Sequence, residues 1–243
     1  MINIKLFKDE DLSGSTFIEG FPGLGLVGPM AVSYIIDKLG MRYIGYMESE
    51  GFPPIVSIHE SKPMPPIRVY FSDKKKILAI FAEFPVRMDL ISELANKVFD
   101  FVTKEKVEKI ISISGIPGKG QDNDTTFVIA SNQEALKAAQ KEGLRPVVEG
   151  VSAGVSALLL FKASSSNITD TNILVPVDPS IIDPKYAEQA IISINKLLKL
   201  NIDVTELEKE AKEVEAKIQE MLKKSSESQE AHRRGAEGPS MYG

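Results

Sequence analysis

Short apolar runs alternate with longer stretches of periodic apolar residues along the first 200 residues of the chain. The short runs are rich in β-branched and aromatic residues, as strands are, whereas the longer stretches repeat apolar positions every three or four residues, as amphipathic helices do. The pattern predicts strands over residues 1–7, 16–19, 42–48, 55–59, 67–71, 77–81, 109–115, 126–130, 147–149 and 173–177. It predicts helices over residues 30–39, 90–104, 132–141, 155–161 and 186–200. This alternation indicates an α/β fold with helices on both faces of one sheet.

Residues 67–71 and 77–81 form the strongest hairpin signal in the chain. Ser72, Asp73 and three lysines separate the two runs and make a polar turn between them. The second run is apolar at every position, so it is expected inside the sheet with both faces covered. One antiparallel pair among parallel strands predicts a mixed sheet within a three-layer α/β/α sandwich.

The sequence changes character after residue 200. Thr205 and Glu208 make a capping box at the start of an amphipathic helix. The apolar seam of that helix consists of Leu207, Ala211, Val214, Ile218 and Met221. The seam needs a covering surface, and two alternatives remain open at this point: the chain's own core or a second subunit.

The last segment is almost entirely polar. Residues 225–240 contain Ser, Glu, Gln, Arg, Gly and Pro, and so few apolar residues cannot offset the entropy of ordering the segment. We therefore expect three parts: a core domain over residues 1–200, an amphipathic helix over residues 201–224 and a flexible tail over residues 225–243.

Composition excludes several classes of function. The formal net charge is -5, which argues against nucleic acid or an anionic membrane as the main partner. The chain has no cysteine, so disulfides and thiolate zinc sites are excluded. The N-terminus does not resemble a signal peptide, and no apolar run is long enough to cross a bilayer. A cytoplasmic protein is expected.

The chemistry of the chain centres on the glycine-rich turn of residues 20–29. A strand, a glycine turn and a helix N-terminus together can cradle an anion, since backbone N–H groups and the helix dipole point the same way. The spacing of Gly23, Gly25 and Gly28 matches the dinucleotide-binding fingerprint, with Glu48 about twenty residues further on. The alternative is structural, because glycines are also required wherever a backbone packs closely or takes a positive φ.

Other candidate groups are isolated in the sequence. His59 has no second histidine near it, since His232 falls in the polar tail. Ser152 has the spacing of a nucleophile elbow, but only His59 could serve as its base. The oxygens of Asp122, Asn123 and Asp124 could hold a cation or form a solvated turn. The candidate phosphate ligands are Arg42, Arg68, Arg87 and Lys119.

The glycine motifs also carry a family resemblance. The turn with Gly20, Gly23, Gly25 and Gly28 is followed by a loop with Gly115 and Gly118 and a loop with Gly150 and Gly154. Over about residues 1–200 this arrangement resembles the archaeal form of the proteasome assembly chaperone family. The resemblance implies a nucleoside-phosphorylase-like α/β/α fold, no catalytic residue and no cofactor or metal. It also implies that these eight glycines are structural.

The chain ends in Met241, Tyr242 and Gly243. This ending has a hydrophobic residue, then a penultimate tyrosine, then a last residue of any type. It is similar to the terminal motif that proteasome activators insert into pockets between α subunits of the core particle. The resemblance implies that the Gly243 carboxylate pairs with a pocket lysine, while Tyr242 and Met241 fill the pocket.

Two functions follow as expectations. The first is an ATP-independent, non-enzymatic, homo-oligomeric chaperone or adaptor that docks on the proteasome core particle or on another protein client. The second is a nucleotide-binding or nucleoside-phosphorylase-like enzyme that uses the glycine loops.

Overall fold

The structure is a computed structural model that describes residues 1–59, 61–118, 125–207, 216, 218–220 and 223–224. Its strands are β1 (Asn3–Leu6), β2 (Thr16–Gly20), β3 (Arg42–Glu48), β4 (Ser57–His59), β5 (Lys62–Met64), β6 (Ile67–Ser72), β7 (Ile77–Ala82), β8 (Lys109–Pro117), β9 (Phe127–Ala130), β10 (Arg145–Pro146) and β11 (Thr169–Val177). Its helices are α1 (Val27–Lys38), α2 (Ile91–Lys104), α3 (Gln133–Lys141), α4 (Val155–Ala163) and α5 (Pro184–Leu198). Several residues named above lie outside the described residues: Lys119, Asp122, Asn123, Asp124, Glu208, Ala211, Val214, Met221, His232, Met241, Tyr242 and Gly243.

Within the described residues, nine strands form one mixed sheet in the order β1-β3-β6-β7-β2-β8-β11-β9-β10. The four central strands β7, β2, β8 and β11 are parallel to one another. Strands β6 and β7 form the predicted antiparallel hairpin, and the lysine turn joins them. The mixed sheet predicted from the sequence is confirmed.

Helices cover both faces of the sheet. On one face α1 packs against α5, and both share an apolar core with Ala139 of α3. On the other face α2 packs against α4, and their buried residues share a second core with β6 and β7. The two cores, separated by the sheet, make the α/β/α sandwich expected from the alternation of strands and helices.

The sequence interpretation is wrong in four local places. Residues 147–149 are not a strand, and the short edge strand lies just before them at Arg145–Pro146. Strand β11 begins at residue 169, earlier than predicted, because its first polar residues are buried in the sheet. Strand β5, which pairs with β4, was not predicted, since Pro63 interrupts the apolar pattern. Phe161, expected in a buried helix, is 72% exposed on α4.

The described part of the C-terminal segment is irregular at residues 201–206 and helical at residues 207, 216, 218–220 and 223–224. Leu207 and Ile218 are buried in the core that α1 and α5 form. For these two residues the covering surface is therefore the chain's own domain. Among the described residues, no helix is both long enough and apolar enough to span a bilayer.

Candidate functional site

The three glycine loops meet at one place in the fold. The first loop follows β2, the second lies at the end of β8, and the third precedes α4. Residues from all three line a cavity of about 650 Å³. It lies at the carboxyl ends of parallel strands, where open α/β sheets bind their ligands.

The first loop is shaped by its glycines. Gly25 has φ of +69°, and a Cβ there would also press against the side chain of Val177 at 3.1 Å. Gly23 is different, because its backbone is extended and a Cβ would meet nothing within 4 Å. Only one of these two positions therefore needs glycine for local reasons.

The second loop packs directly against the first. A Cβ on Gly115 would overlap the carbonyl oxygen of Leu24, so the strand and the glycine turn touch through their backbones. A Cβ on Gly118 would overlap the ring of Pro176 on β11. Close backbone contact of this kind is a structural use of glycine, and no ligand is needed to explain it.

The third loop forms the outer rim of the cavity. It turns into α4 at Gly154, which has φ of +90°. Val148 is 89% exposed and Val151 is fully exposed, although both line the cavity. The rim therefore presents apolar side chains to solvent, whereas Phe21, Val155 and Leu174 on the floor are buried.

The walls are mainly apolar. The polar side chains that line the cavity in the described part of the chain are Ser114, Glu149, Ser152 and Ser156. No lysine, arginine or histidine is among the described lining residues. Among these described residues, phosphate groups of a nucleotide or of a phosphorolysis reaction would meet one carboxylate and no cationic side chain, which does not suit their charge.

A buried carboxyl group lies next to the floor. Glu19 on β2 is fully buried and accepts hydrogen bonds from the hydroxyl of Ser156 and the backbone N–H of Phe21. Burial raises the pKa of Glu19 to about 7, although these hydrogen bonds oppose the shift. Burial, with help from Glu19, also raises the pKa of Asp170, whose carboxyl accepts a hydrogen bond from Ser112. No local sequence pattern predicts this cluster, because its members come from different strands and a helix.

The raised pKa of Glu19 predicts a pH-dependent stability. A carboxyl group with a higher pKa in the folded state binds its proton more tightly when folded. The free energy of unfolding therefore falls as the pH rises from the unfolded-state pKa to the folded-state pKa. For Glu19 the window runs from 4.5 to about 7, and the loss is on the order of 3 kcal/mol. In the Glu19→Gln variant the free energy of unfolding should depend much less on pH. The dependence that remains should come from Asp170. Urea unfolding between about pH 5 and about pH 8 measures it, and an unchanged slope in the variant would refute the assignment.

Several sequence candidates lie away from the cavity. Glu48 is too far from the glycine turn to contact a ligand there, because strands β6 and β7 lie between β3 and β2. Its carboxylate forms an ion pair with Lys5 instead. Arg42 is held by Glu10 and Asp73 on the surface. Arg87 pairs with Asp89. These arginines already have carboxylate partners.

His59 belongs to a different cluster. Its Nε2 lies 3.0 Å from Oε1 of Glu83, and Arg68 contacts the same oxygen at 2.9 Å. The hydroxyl of Ser57 donates to Oε2 of Glu83. The hydroxyl of Ser57 and the imidazole of His59 therefore share the carboxylate of Glu83. The cluster fastens the β4–β5 hairpin to the sheet.

The described residues contain no group of three or more acidic or histidine side chains able to hold a metal.

Ser152 is not a nucleophile elbow. That motif requires a strand directly before the serine and a helix directly after it. The segment before Ser152 is irregular, and α4 begins at Val155. Ser152 lines the cavity, but His59 is not among the described lining residues.

Comparison with known proteins gives consistent results. The model of the PAC2 family matches residues 17–222. An uncharacterised protein of Methanocaldococcus jannaschii is 30% identical over 209 residues, which are 84% of each chain. The crystal structure of Pyrococcus furiosus PbaA, an archaeal homolog of proteasome-assembly chaperone, is 30% identical, with a TM-score of 0.83 over 94% of this chain and 100% of that one. Pyrococcus furiosus PbaB, an archaeal proteasome activator, shares the fold at 22% identity, with a TM-score of 0.74 over 90% of this chain and 98% of that one.

Proposed function

Because the chain belongs to the PAC2 family, we propose that it is a non-enzymatic, homo-oligomeric proteasome assembly chaperone or activator-like adaptor. The observation that carries the proposal is its similarity to PbaA, an archaeal homolog of proteasome-assembly chaperone, across the full length of that chain. The partner is the proteasome core particle, and the chain contacts its α subunits. Neither ATP nor another cofactor takes part.

The body acts as a scaffold in this proposal. The close approaches at Gly115 and Gly118 support a packing role for the loop glycines, whereas Gly23 and Gly150 have room for a side chain. The amphipathic segment of residues 201–224 is anchored to the body at Leu207 and Ile218, which are buried in its core.

The tail is the docking element. Met241, Tyr242 and Gly243 stand at the end of a polar segment that can reach a pocket at some distance from the body. Several such ends on one oligomer raise the effective concentration of each after the first has bound, so weak single contacts add up to stable binding. An oligomer is therefore part of the mechanism.

The full-length chain and purified archaeal core particle test the proposal together. Light scattering should show an oligomer, and immobilised core particle should retain it. A core particle whose α-subunit pocket lysine is replaced by alanine is the matched control and should retain much less. A monomeric chain, or equal retention by both core particles, would contradict the proposal.

A further inference from the structure

The cavity between the glycine loops is not used by the proposed docking mechanism. Its volume of about 650 Å³ falls within the range of small-molecule sites, about 300–1,000 Å³. Its floor is buried, and the apolar rim at Val148 and Val151 is exposed to solvent. A packed scaffold does not need such a cavity at the ligand-binding edge of its sheet.

The polar groups on the floor can both accept and donate a hydrogen bond. Ser156 is 9% exposed and lines the cavity. Its hydroxyl hydrogen is directed to Glu19, which leaves the lone pairs of the hydroxyl oxygen as acceptors. The first turn of α4 has no side-chain cap, so its backbone N–H groups remain as donors beside Ser156.

The described residues around the cavity offer an anion no opposite charge. Glu149 lies on the rim, and the described lining residues include no cationic side chain. A cation is not favoured either, because the positive end of the α4 dipole faces the same space. A neutral group that both donates and accepts fits these surroundings better than either ion.

We propose that this cavity binds an uncharged small molecule with an apolar body and one amide-like end, which reaches Ser156 and the first turn of α4. The apolar body lies along Phe21, Val155 and Leu174, with the valine rim beside it. Burial of apolar surface supplies the binding free energy, and the amide end fixes the orientation.

Three probes with the same seven-carbon apolar body but different charges test the proposal by isothermal titration calorimetry on the full chain: octanamide, octanoate and heptylammonium. Octanamide should bind saturably, and the two ions at least tenfold more weakly. No saturable binding of octanamide, or tighter binding of either ion, would overturn the proposal.

Two cavity-filling variants locate the site. Gly23→Leu and Gly150→Leu place side chains at cavity-lining positions where a Cβ meets no close neighbour and the backbone φ is not positive. Each should weaken octanamide binding at least tenfold without lowering the unfolding midpoint. Ala138→Leu, on the exposed side of α3, is the control and should bind like wild type. Equal binding by all four proteins would place the ligand elsewhere and contradict the proposal.

Discussion

A chain that lacks Met241, Tyr242 and Gly243 is expected to lose detectable binding to the proteasome core particle. In the proposed mechanism these residues make the pocket contacts, and the tether before them has few apolar side chains to replace them. Tyr242→Ala alone should weaken binding at least about 30-fold, which is the usual effect of removing an aromatic residue at the centre of an interface. Biolayer interferometry with immobilised core particle measures both effects.

The matched variant Tyr242→Phe keeps the ring and removes the hydroxyl. This variant should bind the core particle about fivefold more weakly than wild type, because a single hydrogen bond contributes roughly 1 kcal/mol. The oligomer size and the unfolding midpoint should match wild type in all three variants, since none of the changes touches the body. Binding by the truncated chain at wild-type affinity would show that another surface makes the contact.

Replacing Gly115 by alanine is expected to destabilise the body strongly. A Cβ at this position would overlap the backbone carbonyl of Leu24, which cannot move without displacing the glycine turn from β8. Steric overlap in a packed core costs about 1–3 kcal/mol, and a rigid backbone contact lies at or above the upper end. Urea unfolding should therefore show a loss of about 3 kcal/mol or more.

Gly23→Ala is the matched control on the neighbouring loop. Its backbone is extended, and a Cβ would meet nothing within 4 Å. Alanine at such a site restricts the unfolded chain and should stabilise the protein slightly, by about 0.5 kcal/mol. Equal effects at the two positions would mean that close packing at Gly115 is not what requires glycine there.

The layers of the fold could be predicted from the sequence because they follow from local patterns. Strand β3 was predicted at its observed bounds, and the hairpin of β6 and β7 followed from two apolar runs joined by a lysine turn. The early start of β11 could not be predicted in this way. Asp170 and Asn172 are polar, and their burial depends on strands and a helix from distant parts of the chain.

The candidate site was predictable only in pieces. Each glycine loop is visible in the sequence, but their convergence depends on the order of β2, β8 and β11 in the sheet. The same order removes Glu48 from the glycine turn. The partners of His59 were missed because Arg68 and Glu83 lie on or just beyond neighbouring strands and form no local motif with it. Sequence spacing cannot reveal contacts that strand order creates.

A structure of the oligomer bound to the core particle tests the docking claim most directly. Electron cryomicroscopy should show density for Tyr242 and the Gly243 carboxylate in the pockets between α subunits, with the glycine-loop body held away from the ring by its tether. A stable complex with empty pockets, and with the body itself seated on the α ring, would contradict docking through the C-terminal residues.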